Sequence, residues 1–214
     1  NYILSLIIMY KRLRIKLYPT FKQKNVIDKH FNAYRFIYNL SLEYKSTLWK
    51  QWKKNISGYD IAKEILDLRK DIPWLLECKA ECVREASNEL DKTFKKFFNG
   101  NGYPKFKSKK GEQSFHAYQS IKCVSDRIVF YKQRIKFKTS ENYTNLLNTN
   151  KIKQVTFKRD LCGDYWATCL IELPSIEPLI KTKNVVGIDL GIKDLVITSE
   201  GVVYENKKFL ANTQ

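Results

Sequence analysis

A β-strand cannot satisfy its backbone alone, and this chain opens its patterned region with a strand whose partners come late. In "YKRLRIKLYP", residues 10–19, apolar Leu13, Ile15 and Leu17 alternate with basic Arg12, Arg14 and Lys16. Period two describes a half-buried strand with a basic open face, and Pro19 ends it. The next apolar alternation appears only after residue 102. Between them the period is helical. Thr20 is a suitable N-cap, and Ile27, Phe31, Tyr34, Tyr38 and Leu42 fall on one stripe. A shorter helix is expected in "ISGYDIAKEILDLRKD". A third is expected in "IPWLLECKAECVREASNELDKTFKKFFNGNG", with Pro73 in its first turn, Cys78 and Cys82 on one side, and Gly100 and Gly102 as its stop. From 103 onward short strands return, with turns at Ser125-Asp126, Lys132-Gln133 and Cys162-Gly163-Asp164. The order strand, helices, strands implies a small β-barrel with a helical domain inserted in one of its loops.

Charge narrows what such a fold can meet. Lysine plus arginine number 39 against 22 acids, a formal +17. A polyanion would relieve the self-repulsion, and nucleic acid is the leading partner; a surplus of solvated lysine is the plainer account. The charge is locally dense. Residues 101–140 hold ten Lys or Arg and two acids, interleaved with aromatics. In "YPKFKSKKG", Lys105, Lys107, Lys109 and Lys110 suit phosphates, while Tyr103 and Phe106 suit base stacking. Phe115, Phe130 and Phe137 fit a strand's inward face better than a stacking role. The five cysteines are scattered and form no CxxC pair, so reduced thiols in the cytoplasm are expected rather than a zinc site. The apolar start is too short to span a bilayer. Met9 is the sole methionine, and residues 1–8 read as a leader outside the native frame.

The last patterned stretch is "NVVGIDLGIKDLVITSEG", residues 184–201, after a linker "PSIEPLIKTKN". Its continuous apolar run predicts a strand buried on both faces. An ionised Asp189 there needs a partner or a cation. Gly187 and Gly191 leave room beside it for a ligand or a backbone. A two-metal nuclease of the RNase H-like kind, an actin-like ATPase and an Asp that caps its turn all fit these residues.

The stretch "VVGIDLGIKDLVITSEGVVYENKKFL" resembles the first RuvC motif of TnpB (OrfB), the transposon-encoded RNA-guided DNA endonuclease family related to type V CRISPR effectors. "YKRLRIKLYPTFKQ", "FNAYRFIYNLSLEYK", "IPWLLECKAECVREASNELDKTFKKFF" and "YPKFKSKKGEQSF" resemble that family's earlier segments, in its order. This collinear set removes the ATPase reading. The resemblance implies an α+β chain: a wedge-type, OB-like β-barrel begun at 9–20, a helical recognition domain over 21–102, the rest of the barrel over 103–178, and the start of an RNase H-like RuvC domain over 179–214. It implies a guide RNA and double-stranded target DNA as partners, no membrane, and a nucleoid-associated cytoplasmic protein. Nucleic-acid contacts would come from Arg12, Arg14 and the loop residues above. Tyr34, Tyr38 and Asn39 are either core or readers of a target motif.

Asp189 would be the first of three catalytic carboxylates and a Mg2+ ligand. Glu200 and Glu205 match neither of the others, and the family's zinc-binding cysteines have no counterpart here. One carboxylate cannot assemble a two-metal site, so the expectation is binding without cleavage by this polypeptide alone. A nuclease fragment, a nuclease-dead regulator and a decayed remnant stay open, as does self-association or pairing with a separate C-terminal half.

Overall fold

The computed structural model describes residues 9–118, 121–174 and 185–207. Residues 1–8 and most of the expected linker lie outside them. The chain divides into two units, residues 1–176 and 177–214.

In the first unit, β1 (Met9–Tyr18) is followed by α1 (Phe21–Trp52), α2 (Gly58–Asp71), α3 (Pro73–Leu76) and α4 (Ala80–Phe98). Then come β2 (Gln113–Ala117), β3 (Lys122–Val124), β4 (Arg127–Phe130), β5 (Gln133–Lys138), α5 (Glu141–Thr149), β6 (Lys151–Arg159) and β7 (Tyr165–Leu173). The seven strands form one antiparallel sheet in the order β2-β6-β7-β1-β5-β4-β3. β1 is therefore central, between β7 and β5. Its alternation does what the sequence requires: Leu13, Ile15 and Leu17 are buried, while Arg12 and Arg14 are exposed.

The sheet is curled. Phe130 on β4 and Phe157 on β6 stand four strands apart in the order, a separation of about 19 Å in a flat sheet. Their ring centroids are 4.8 Å apart. Phe115 on β2 stacks on Phe157 at 5.0 Å and meets Phe130 at 5.5 Å. These rings fill the concave side, together with Phe137 and Ile135. The register of β6 shifts between Ile152 and Gln154. The extra residue in that bulge turns the following positions over, so that Val155 and Phe157 also face inward.

Helix α1 starts with a capping box. The Thr20 hydroxyl accepts from Gln23 N–H, and the Gln23 side chain accepts from Thr20 N–H. Gln23 also donates to Arg134 O at 3.0 Å, tying the cap to β5. The predicted stripe Ile27, Phe31, Tyr34, Tyr38 and Leu42 is buried. His30 lies among Phe115, Phe130 and Tyr131 at 5.0–5.4 Å. Its Nδ1 faces Val26 O at 2.7 Å and its Nε2 accepts from Lys79 N–H at 3.0 Å. Both ring nitrogens are satisfied only in the neutral form with the proton on Nδ1.

The helices are locked at one junction. Lys45 on α1 donates to Asp91 on α4 at 2.9 Å and to Ile56 O at 2.5 Å, and the other Asp91 oxygen accepts from Gly58 N–H at the start of α2. A Cβ on Gly58 would stand 2.8 Å from the Asp91 carboxyl and from Ser87 O. Glycine is what allows α2 to begin against α4.

Three sequence expectations are corrected. The third helix is not continuous: it breaks at 77–79 into α3 and α4, leaving Cys78 in the break and Cys82 on α4. Distant groups take the backbone there, since Arg69 donates to Leu75 O and Cys78 O, and Lys79 N–H goes to His30. Helix α5, capped by Ser140, was not foreseen. The β4–β5 turn is centred on Tyr131-Lys132, both at positive φ, rather than on Lys132-Gln133. Cys78, Cys82 and Cys169 are buried thiols and Cys162 is exposed.

In the second unit, β8 (Ile188–Leu190), β9 (Asp194–Thr198) and β10 (Val203–Glu205) form an antiparallel sheet in the order β10-β9-β8. The expected burial of its first strand is corrected: Ile188 is 61% exposed and Leu190 75%, and Asp189 is exposed between them. Burial on both faces needs a second layer, and no helix of this unit is among the described residues. Gly191 makes room for the chain itself, because a Cβ there would meet Asp194 O at 2.8 Å. Among the described residues, no helix is long and apolar enough to cross a membrane.

Candidate nucleic-acid interface

The basic segment 103–112 has no regular structure of its own, yet it is held at three points. At its start, Pro104 is buried, and Tyr103 packs edge-on against Phe94 and Phe97 while its hydroxyl meets Ser46 at 2.8 Å. In the middle, the Asn39 side chain on α1 treats Lys107 as a strand would. It donates to Lys107 O at 3.0 Å and accepts from Lys107 N–H at 2.8 Å. At the end, the chain wraps around Gln113. Its amide nitrogen donates to Gly111 O at 2.6 Å and Ser108 O at 2.9 Å, and its oxygen accepts from Arg35 at 2.6 Å.

This fixing decides where the four lysines go. Lys105, Lys109 and Lys110 are exposed, and none pairs with a carboxylate among the described residues. The nearby Glu112 is taken by Lys158 at 2.7 Å. Lys107 is placed differently from the other three. Its ammonium lies over the Tyr38 ring at 4.6 Å and near Tyr34 at 5.9 Å. Burial pulls its pKa below the ordinary lysine value, with the Glu89 carboxylate opposing. It acts as a plug that seats the loop on α1.

Tyr34 and Tyr38 are 1% and 4% exposed, so their rings support the core reading rather than the reading of a target motif. Burial pushes both phenols up. Asn39 belongs with them as a positioning group. Phe106 is 61% exposed and Tyr103 50%, which leaves both with ring surface to offer. Arg12 and Arg14 lie on the outer face of β1. The Arg14 guanidinium sits over Trp166 at 4.3 Å, and Lys16 pairs with Asp164 at 2.6 Å.

Gln113 and Arg35 were not singled out from the sequence. A signal existed, because Gln113, Phe115 and Ala117 share the inward alternation of β2 and a buried Gln among apolar residues requires partners. We expect Asn39→Ala to orphan the two Lys107 backbone groups, at a cost of about 1–3 kcal/mol. Faster proteolysis after Lys105 or Lys109, with α1 intact by circular dichroism, would register it; an unchanged cleavage pattern would contradict the pin.

Asp189 does not come together with a ligand set. Its strand pairs with β9, placing Asp189 opposite Ile197. Among the described residues no three His, Cys, Asp or Glu side chains group as a metal site. Magnesium takes near-octahedral oxygen coordination, and a single exposed carboxylate does not fit it.

Residues 9–54 match the helix-turn-helix domain family HTH_OrfB_IS605. In the structure these residues form one strand and most of its extent is the single long helix α1, not two helices about a turn. The chain is 22% identical over 211 residues to InsQ of Escherichia coli (strain K12), which is named an RNA-guided DNA endonuclease. That match takes in 94% of this chain and 52% of InsQ, so the chain spans about half the length of this curated relative. Among solved structures, a CRISPR-Cas12f ternary complex matches with a TM-score of 0.47 at 12% identity, over 90% of this chain and 50% of the other. A Cas12f1–sgRNA–target DNA complex matches with a TM-score of 0.38 at 12% identity, over 96% and 67%.

Proposed function

We propose that the chain is TnpB-like and is the nucleic-acid-holding part of an RNA-guided DNA endonuclease, binding guide RNA and target DNA. One observation carries this reading. The segment 103–112 is held by Asn39 and Gln113 with Lys105, Lys109 and Lys110 turned to solvent and, among the described residues, unpaired. Exposed cations cost little on any surface. Holding three of them on a pinned loop, beside the exposed rings of Tyr103 and Phe106, creates a fixed row for phosphates and bases.

In this reading the curled sheet is a wedge-type, OB-like barrel, and α1–α4 are a recognition domain inserted between β1 and the remaining strands. β8–β10 are the opening strands of an RNase H-like nuclease domain. The polypeptide 1–214 binds without cutting. Asp189 alone offers too few oxygens for magnesium.

Titration with labelled RNA and with duplex DNA at several salt concentrations tests the binding. Each phosphate contact removed should make the slope of log K against log salt shallower by about 0.7 to 0.9. Lys105→Ala/Lys109→Ala/Lys110→Ala together should therefore flatten it by about 2 and weaken binding at least tenfold. An unchanged slope would refute the interface. Magnesium-dependent DNA cleavage by the purified chain with guide RNA would refute the binding-only assignment.

A further inference from the structure

A cleft of about 440 Å³ opens between the C-terminal ends of α1 and α4. Trp49, Phe97, Phe98 and Tyr103 form its walls. Phe98 is 76% exposed, Trp49 55% and Tyr103 50%. Three rings left this open on one short stretch of surface are costly unless something covers them. Polar groups reach the same cleft: the Ser46 hydroxyl, which meets the Tyr103 hydroxyl at 2.8 Å, and the exposed Asn55 side chain.

The charge around the cleft selects its occupant. Lys50 lines the cleft beside Lys45, which is shared with Asp91. Lys53 lies over the Trp49 ring at 5.9 Å, and the last turn of α4 carries Lys95 and Lys96. A protein partner would meet a mostly basic rim over apolar walls. A polynucleotide matches both, with bases for the rings and phosphates for the lysines. The hydroxyls and amide beside the rings are suited to a ribose 2′-OH and a base edge.

We propose that this cleft captures an unpaired ribonucleotide, its base stacked on Trp49 and Phe98 and its ribose against Ser46 and Tyr103. The assignment rests on the nucleic-acid reading above; the cleft adjoins the basic segment through Tyr103, but its other lining residues are distinct from the lysines at 105, 109 and 110. Asn55 reads the base edge, and the lysines on either side guide the strand through.

The full 214-residue chain and short oligouridine carrying 4-thiouridine provide the test. Irradiation should cross-link the base to Trp49, Phe98 or Tyr103, located by mass spectrometry. Trp49→Ala and Phe98→Ala should each weaken oligouridine binding by roughly tenfold without changing the salt slope. Trp49→Phe should recover most of the loss. Both wild-type rings are largely exposed, so the thermal midpoint should stay put and separate ring loss from unfolding. Salt-dependent binding with cross-links elsewhere would overturn the cleft assignment and leave the basic segment standing. Equal binding and equal losses with the deoxyuridine strand would overturn the choice of RNA. Absence of salt-dependent binding to any strand would overturn the broader reading.

Discussion

Phe157→Ala should lower the stability of the first unit by about 3–5 kcal/mol. The ring is 1% exposed and joins strands that are remote in the sheet order. It pairs directly across β2–β6 with Phe115 and reaches Phe130 on β4 at 4.8 Å. Truncation would remove the ring on which two others rest, and a curled sheet cannot collapse inward without moving its strands. The loss therefore includes a cavity term as well as transfer. Denaturant unfolding should show a lower midpoint with an unchanged slope, and Phe157→Leu should cost much less. A change below about 1 kcal/mol would mean that the concave side repacks freely, against the structure described above.

Acid should destabilise the same unit by about 3 kcal/mol between pH 6.5 and 4. Burial lowers the pKa of His30 from 6.5 to about 4; the Val26 carbonyl opposes the shift, and the Lys79 charge adds to it. The imidazole is thus neutral when folded and binds a proton more readily when unfolded. Stability is full above pH 6.5, falls as the unfolded chain takes up the proton, and reaches its floor below pH 4. His116 works in the same direction, its pKa lowered first by burial and partly restored by Glu89. Urea titrations at stepped pH should give a midpoint that declines through this window. His30→Asn should be less stable at neutral pH but lose most of that slope. A native midpoint flat from 6.5 to 4 would rule out the neutral, doubly bonded histidine.

The elements that read clearly in the sequence are those whose cause is local. The alternation around Leu13, the Thr20 cap and the stripe from Ile27 to Leu42 need only neighbours a few residues away, and all appear in the structure. The late return of the strands likewise agrees with the sheet, in which β1 pairs with β5 and β7. What was not legible depends on distant residues. Lys105, Lys107, Lys109 and Lys110 look alike as a string, and only Asn39, 68 residues earlier, turns Lys107 inward. The break at 77–79 needs His30 and Arg69, and neither announces itself by spacing. Asp189 was read as buried because an apolar strand usually has layers on both sides; its unit shows none among the described residues.

The central place of β1 has a consequence for how the chain is made. Its neighbours β7 and β5 end at Leu173 and Lys138. On a ribosome adding about 5–20 residues per second, β1 waits roughly 8–30 s before β7 has emerged to pair with it. The contacts among α1, α2 and α4 lie wholly within the intervening stretch, so these helices can meet before the sheet closes. During that interval β1 stands as an apolar ribbon without its neighbours. The arginines and lysines alternating along that ribbon, Arg12, Arg14 and Lys16, keep the unpaired edge from seeding aggregates while it waits.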